Sequence, residues 1–299
     1  MAEWGAEIVV GERQARSLIA SQFPELAAAP IELIGVGWDN TVFAVDGRWA
    51  FRFPRRAVAV AGVEREIAVL PHLALRLPVA ISEPRYVGRP GPGFPWPFFG
   101  APLLDGDEAT LAFEEAARAR LAPALGDVLR RLHAVPPHPA LPHDPMGRVD
   151  MARRIPFAEQ RLAELERAGL PAPFGDLRAV LDTARDLPPS QRRATVHGDL
   201  HVRHILVDAA AEEPLRGIID WGDVCAGDPA MDVAIGWMLF REPERMRFLD
   251  AHGPMEPDQV ARARVVAVFL SATLALYGAA EGMPSLRDES LAGLERIIG

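Results

Sequence analysis

The run Val196-His197-Gly198-Asp199-Leu200-His201-Val202-Arg203-His204-Ile205-Leu206-Val207-Asp208, followed by Gly217-Ile218-Ile219-Asp220-Trp221, constrains this chain more than any other stretch. Two apolar runs, Ile205-Leu206-Val207 and Ile218-Ile219, flank acidic and turn residues, which predicts a short buried hairpin. Ionisable groups stand around it: Asp199 on a turn preceded by Gly198, His204 five residues later, and Asp220 closing the second run. A proton acceptor, a metal ligand and a chelating carboxylate, in that order, are what phosphoryl transfer asks of a chain. A triphosphate must be neutralised by divalent cations while a hydroxyl is oriented for in-line attack. Asp199 is suited to accept the hydroxyl proton, and Asp220 to hold Mg²⁺ through a carboxylate oxygen, the donor this hard cation prefers.

The segment His197-Gly198-Asp199-Leu200-His201, with Ile219-Asp220-Trp221 and Gly227-Asp228-Pro229-Ala230-Met231-Asp232, resembles the aminoglycoside and macrolide phosphotransferases, whose fold is that of the protein kinases. The likeness extends back through Gly35-Val36-Gly37-Trp38-Asp39-Asn40 and Phe51-Arg52-Phe53-Pro54-Arg55-Arg56, and so covers most of the chain. It implies an α+β, two-lobed architecture: a small antiparallel-sheet lobe over 1–104 that binds nucleotide, and a larger helical lobe over 105–299 with the catalytic loop and substrate site. It further implies ATP or GTP as donor, a phosphate-covering loop at Gly35 and Gly37, a hinge that holds the base through backbone groups around Ala101 and Leu103, and support of the catalytic loop by His197 and Asp228. Alone, the two glycines would also suit an ordinary hairpin turn.

Two departures bear on chemistry. Most of the family has Asn where this chain has His204, so an imidazole nitrogen replaces a carbonyl oxygen. Mg²⁺ takes nitrogen poorly and Mn²⁺ more readily. The macrolide branch resembles this chain in carrying His there; a satisfied core histidine is the alternative. The second departure is the absence of lysine: all 32 basic residues are arginine. The phosphate grip therefore falls to Arg52, in an alternating run after the Asp46-Gly47 turn that reads as a third strand. Arginine offers phosphate a planar fork where lysine offers a point charge. Glu66, on a helix expected over 57–73, is the candidate carboxylate to orient Arg52; Glu64 is a competitor, two positions away and on another face of that helix.

A net charge of −9 argues against a nucleic-acid footprint, and 49% hydrophobic content suffices for a sizeable core. The one cysteine, Cys225, forms no internal disulfide, and the acidic N-terminal stretch with Glu3, Glu7 and Glu12 has no signal-peptide pattern, so a cytoplasmic location is expected. The most apolar segment, Val265 to Leu276, is shorter than the roughly 20 residues that cross a bilayer and reads as a core helix, with no membrane partner. Strands are expected at 31–34, 41–45, 49–53 and 96–104, and helices at 11–23, 108–121, 123–133, 151–168, 228–240, 257–277 and 285–298. His133, His138 and His143 lie by a Pro-rich connection and are expected to face solvent.

Residues 237–299 hold nine acidic residues against seven arginines, so no dense acidic trough for a polycation is evident. Trp237, Met238, Phe240, Phe269, Leu274, Tyr277 and Met283 would suit a large, mostly apolar ligand, although core packing accounts for most such residues. The leading expectation is transfer of a γ-phosphoryl group to a macrolide hydroxyl. Alternatives are an aminoglycoside or small metabolite alcohol as acceptor, or a non-catalytic pseudokinase, which the presence of both Asp199 and Asp220 argues against.

Overall fold

The computed structural model describes residues 6–110 and 115–299. Glu3, and the part of the helix expected over 108–121 that falls on 111–114, lie outside the described residues. The chain divides into two compact units. The first comprises Met1–Leu75, Ala80–Asp105 and Asp220–Val224; the second comprises Arg76–Val79, Gly106–Ile219 and Cys225–Gly299. One division falls after residue 105, and the Asp220 segment belongs with the first unit, so the two units are not separated by a single cut.

The first unit opens with α1 (Glu12–Gln22) and a 3-10 turn, Pro24–Leu26. Next come β1 (Ile31–Val36), β2 (Asn40–Val45), β3 (Trp49–Pro54) and α2 (Ala57–Ala74). The two-residue β4 (Ala80–Ile81), β5 (Tyr86–Gly88) and β6 (Phe98–Pro102) complete it. The sheet order is β1-β2-β3-β6-β5, with every neighbouring pair antiparallel. Asp46 and Gly47 both have positive φ, 58° and 62°, the conformation that suits a tight hairpin between right-twisted strands. Phe43, Phe51, Phe53 and Phe98 fill the core, Phe53 stacking on Phe98 at 4.6 Å. Two glycines make room for these rings: a Cβ at Gly100 would come within 2.6 Å of Phe51, and one at Gly88 within 2.3 Å of Phe98. Each glycine is the cross-strand partner of the ring it accommodates.

The second unit is mostly helical: α3 (Glu115–Ala134), α4 (Met151–Arg167), α5 (Phe174–Asp182), α6 (Ala230–Val233), α7 (Ile235–Leu239), α8 (Glu244–His252), α9 (Pro257–Ala280) and α10 (Pro284–Ile298). Its strands are β7 (Asp107–Glu108), β8 (Ala194–Val196), β9 (Ile205–Val207), β10 (Leu215–Ile218) and β11 (Cys225–Gly227). α3 runs through Pro123, where two helices were expected. Proline removes one backbone bond, but the buried stripe Ala117, Leu121, Leu125, Val128 and Leu132 continues across it and keeps both sides in one helix. The single helix expected over 228–240 is instead the short pair α6 and α7, buried throughout. α9 begins with a capping box between Glu256 and Gln259, with Pro257 at the first helical position. It is long and apolar enough to cross a bilayer, longer than the segment read from sequence, yet most of it is buried and it packs against α4, α5 and α10. The expected hairpin is β9 with β10, antiparallel with a bulge between Leu215 and Gly217. β8 and β11 pair antiparallel, so one ribbon leads the chain both into His197 and toward Asp228.

Candidate active site

In the second unit, the loop after β8 turns at Gly198, whose φ is +88°. Asp232, fully buried on α6, braces that turn: Oδ2 accepts the His197 amide at 2.8 Å and Oδ1 the Gly198 amide at 2.9 Å. Burial opposes the charge on Asp232, but the hydrogen bond and charge of His133 and the loop groups outweigh it and hold the carboxyl below its ordinary range. Asp228, expected to brace the loop, does not. Its oxygens accept from Ser190 Oγ at 2.6 Å, the Ala230 amide at 3.0 Å and Gln259 Nε2 at 3.1 Å, which tie α6 to α9 and the 190 region. Both acids follow β11, but only the one a helical turn further on meets the loop amides.

His197 is also buried, and its partners assign its tautomer. Nε2 donates to the Ile219 carbonyl at 3.0 Å while Nδ1 accepts the Asp199 amide at 3.3 Å, so the ring is neutral. Burial, and then His204, lower its pKa and keep it so. His204 donates from Nδ1 to the Asp199 carbonyl at 2.9 Å.

Oδ1 of Asp199 accepts from Nη1 of Arg148 at 2.7 Å, and Oδ2 lies 3.8 Å from Nε2 of His201. Burial would raise this carboxyl; Arg148, then His201, His204 and His197, reverse the effect and bring it to about 2. One ligand atom each from Asp199, His201 and His204 falls within 4.8 Å of the others. With Asp199 reserved as proton acceptor, the donors this group would offer a divalent cation are the two imidazoles, which suit Mn²⁺ better than Mg²⁺.

In the first unit, β3 and α2 bring Arg52 and Glu66 together, with Asp220 beside them. Nη1 of Arg52 donates to Oε1 of Glu66 at 2.8 Å and Nη2 to Oδ1 of Asp220 at 2.6 Å. The buried face of α2 runs Ala59, Gly62, Val63, Glu66, Val69, Leu70 and Leu73, so Glu66 is a carboxylate within an apolar stripe. Such a group is tolerated only when paired. Burial pushes its carboxyl up, to about 7, with Asp220 adding to the rise and Arg52 opposing it. Burial likewise works against the charge on Arg52, but Glu66 and Asp220 outweigh it and raise its pKa. Glu64 is exposed. Asp220 has a φ of 62°, a left-handed conformation that aspartate tolerates better than most residues.

Gly37 closes the β1–β2 turn by donating to the Asn40 carbonyl at 2.9 Å. Arg55 donates to the Gly37 carbonyl and Arg56 pairs with Asp39, so the arginines after β3 hold this turn. A Cβ on Gly35 would meet nothing within 4 Å, so packing alone does not require glycine there. Ala101 is buried on β6 opposite Ala50. The Leu103 amide donates to the Arg48 carbonyl at 2.8 Å, which leaves its carbonyl as the group able to serve a ligand.

Residues 30–257 match the model of the phosphotransferase enzyme family. The chain belongs to that family. The phosphotransferase is 38% identical over 55 residues to the uncharacterized protein YcbJ of Bacillus subtilis (strain 168), a match spanning 18% of this chain and 17% of that protein. Its fold is that of the GDP and kanamycin complex of APH(2")-IIIa, with 23% identity, a TM-score of 0.64 and coverage of 96% of this chain and 98% of that one. It is also that of a macrolide 2'-phosphotransferase type I, with 24% identity, a TM-score of 0.57 and coverage of 96% and 98%. The macrolide 2'-phosphotransferase MphH from Brachybacterium faecium shares it with 24% identity, a TM-score of 0.56 and coverage of 94% and 97%.

Sequence reasoning about this phosphotransferase missed Arg148, Asp232 and His133. His133 does not face solvent: its side chain is 7% exposed, with Nε2 3.0 Å from Oδ2 of Asp232 and Nδ1 3.0 Å from Nε2 of His252. His143 is exposed as expected.

Proposed function

We propose that the protein transfers the γ-phosphoryl group of ATP or GTP to a hydroxyl of a small-molecule antibiotic, with a macrolide as the leading acceptor. The hydroxyl oxygen forms a bond to the γ-phosphorus, the bond to the bridging oxygen breaks, the nucleoside diphosphate leaves, and the hydroxyl proton passes to Asp199. The observation that carries the reading is the bracing of Asp199. Its amide is held by His197, its carbonyl by His204 and the preceding amides by Asp232, while its side chain stays ionised.

Arg52, oriented by Glu66, is assigned to the phosphates, under a loop carrying Gly35 and Gly37, with the base held near Ala101 and Leu103. His197 keeps the catalytic loop in shape. Asp220 and His204 are assigned to the divalent cations, Mg²⁺ or Mn²⁺, which when bound neutralise the phosphate oxygens. The cytoplasm is the proposed location, since it supplies the nucleotide.

A macrolide is preferred because the charged partner beside Asp199 is Arg148, with Arg154 near enough to be influenced by both. Cationic surroundings disfavour a polycationic acceptor more than one with a single amine. The kanamycin complex of a relative with the same fold makes an aminoglycoside the second reading. Nucleotide consumption with ATP and with GTP, measured against a macrolide, an aminoglycoside and a small-alcohol panel, tests both. Macrolide-dependent turnover with a phosphorylated product supports the first reading. Turnover confined to another class replaces the acceptor, and none with any class removes the activity.

A further inference from the structure

We propose that Arg148 is a positioning residue for Asp199: it clamps Oδ1 and so directs Oδ2 at the hydroxyl to be phosphorylated. The proposal rests on the phosphotransfer reading above and adds a residue to it.

The terminal torsion of an aspartate is broad and twofold, so an unheld carboxylate swings freely about its last bond. Pinning one oxygen fixes the direction of the other. Nη1 of Arg148 does so at 2.7 Å, while Oδ2 stays beyond hydrogen-bond distance of His201 at 3.8 Å. The Arg148 side chain is 13% exposed and that of Asp199 26%, so the clamp is more covered than the group it holds.

The arginine is itself fixed. Its amide donates to Oδ1 of Asp144 at 2.9 Å, and the next amide, of Val149, to Oδ2 of the same carboxylate at 3.3 Å. Its carbonyl accepts from Nε of Arg154 at 3.2 Å. The Arg154 guanidinium lies 4.3 Å from the ring centroid of Phe269, on the core helix α9. Gly147, with φ at 58°, supplies the turn that lets Asp144 reach both amides. An ordinary surface ion pair contributes little and needs no such support. A side chain that must hold a reacting group to a fraction of an ångström does need it.

The test measures turnover of ATP and GTP by the purified full chain, both with water as acceptor and with a macrolide. It compares wild type, Arg148→Lys, Arg148→Gln, Asp199→Asn and the double variant Arg148→Gln/Asp199→Asn. In Arg148→Gln, kcat should fall by about 10²-fold, as when a reacting group is displaced by about 1 Å, with nucleotide KM within about twofold of wild type. Arg148→Lys should recover part of the loss, since it keeps the charge without the fork. On the Asp199→Asn background, Arg148→Gln should change kcat by less than about threefold, because the group it acts through is already disabled. Losses that multiply in the double variant, or a wild-type kcat in Arg148→Gln, overturn the proposal. Should Arg148→Gln fail to fold by its thermal midpoint, Arg148→Lys decides: a lowered kcat supports the clamp and an unchanged one overturns it. Wild-type turnover with water but not with the macrolide overturns the acceptor assignment, and the same variant comparison in water still decides Arg148.

Discussion

Nη2 of Arg52 donates to Oδ1 of Asp220 at 2.6 Å while Nη1 of the same guanidinium donates to Glu66 at 2.8 Å. One planar fork thus reaches one oxygen of each of two carboxylates, on α2 and in the loop after β10, which a lysine ammonium reproduces only in charge. Glu66 is wholly buried and Arg52 nearly so, whereas the Asp220 side chain is 47% exposed. The Glu66 contact is therefore the buried one, and the Asp220 contact the exposed one.

Arg52→Ala is expected to destabilise the protein by about 3 to 5 kcal/mol, because it strands a buried carboxylate. It should also raise the nucleotide KM while leaving antibiotic affinity unchanged. Arg52→Lys should recover stability more fully than KM. Urea unfolding and steady-state kinetics check the two halves separately, and an unchanged KM in a folded Ala variant would confine Arg52 to a structural pair.

Asp232→Asn should lower turnover at least about tenfold, since an amide presents one acceptor where two loop amides need one each, and a misplaced loop misaligns Asp199. Asp228→Asn, whose partners lie off the loop, should reduce the thermal midpoint with a smaller effect on kcat. Equal kcat losses from the two substitutions, at matched stability, would return Asp228 to the role read from sequence.

Those two acids show where sequence was legible and where it stopped. They lie four residues apart, hence on one face of any helix through both, and the choice between them depends on the helix starting only at Ala230. Glu66 and Glu64 both stood as candidates in the sequence, and α2 separates them by placing Glu66 within its buried apolar stripe and Glu64 on its exposed side. Arg148 carried no such signal. It lies in an irregular loop before α4, 51 residues from its partner, and nothing local marks it. His133 was misread for the same reason: its partners Asp232 and His252 are 99 and 119 residues away.

The His252 ring makes stability depend on pH. Burial first, and His133 second, lower its pKa from 6.5 to about 4 in the folded protein. The unfolded chain therefore binds more protons between those values, so stability is full above about pH 6.5 and declines as pH falls toward 4. The contribution is at most about 3 kcal/mol. Thermal midpoints of wild type and His252→Gln across this window should converge on acidification as wild type loses the contribution. Parallel curves would show that His252 does not carry it.

On the proposed assignment of His204 to a cation, the metal preference turns on this residue. Its Nδ1 proton is engaged by the Asp199 carbonyl at 2.9 Å, so any cation meets Nε2, a nitrogen donor that favours Mn²⁺ over Mg²⁺. Asparagine at this position can keep both functions, its amide N–H replacing the Nδ1 donor and its carbonyl oxygen replacing the nitrogen ligand. His204→Asn is therefore expected to preserve the fold and loop while raising the ratio of Mg²⁺-supported to Mn²⁺-supported kcat/KM by about tenfold, with Mn²⁺ affinity measured by paramagnetic resonance falling in parallel. His204→Leu, which supplies neither the donor nor a ligand, should lose activity with both ions and gives the baseline for that comparison. If wild type and His204→Asn had superimposable metal preference and Mn²⁺ affinity, His204 would be a loop-bracing residue only, and the likeness of this position to the macrolide branch would no longer bear on the acceptor.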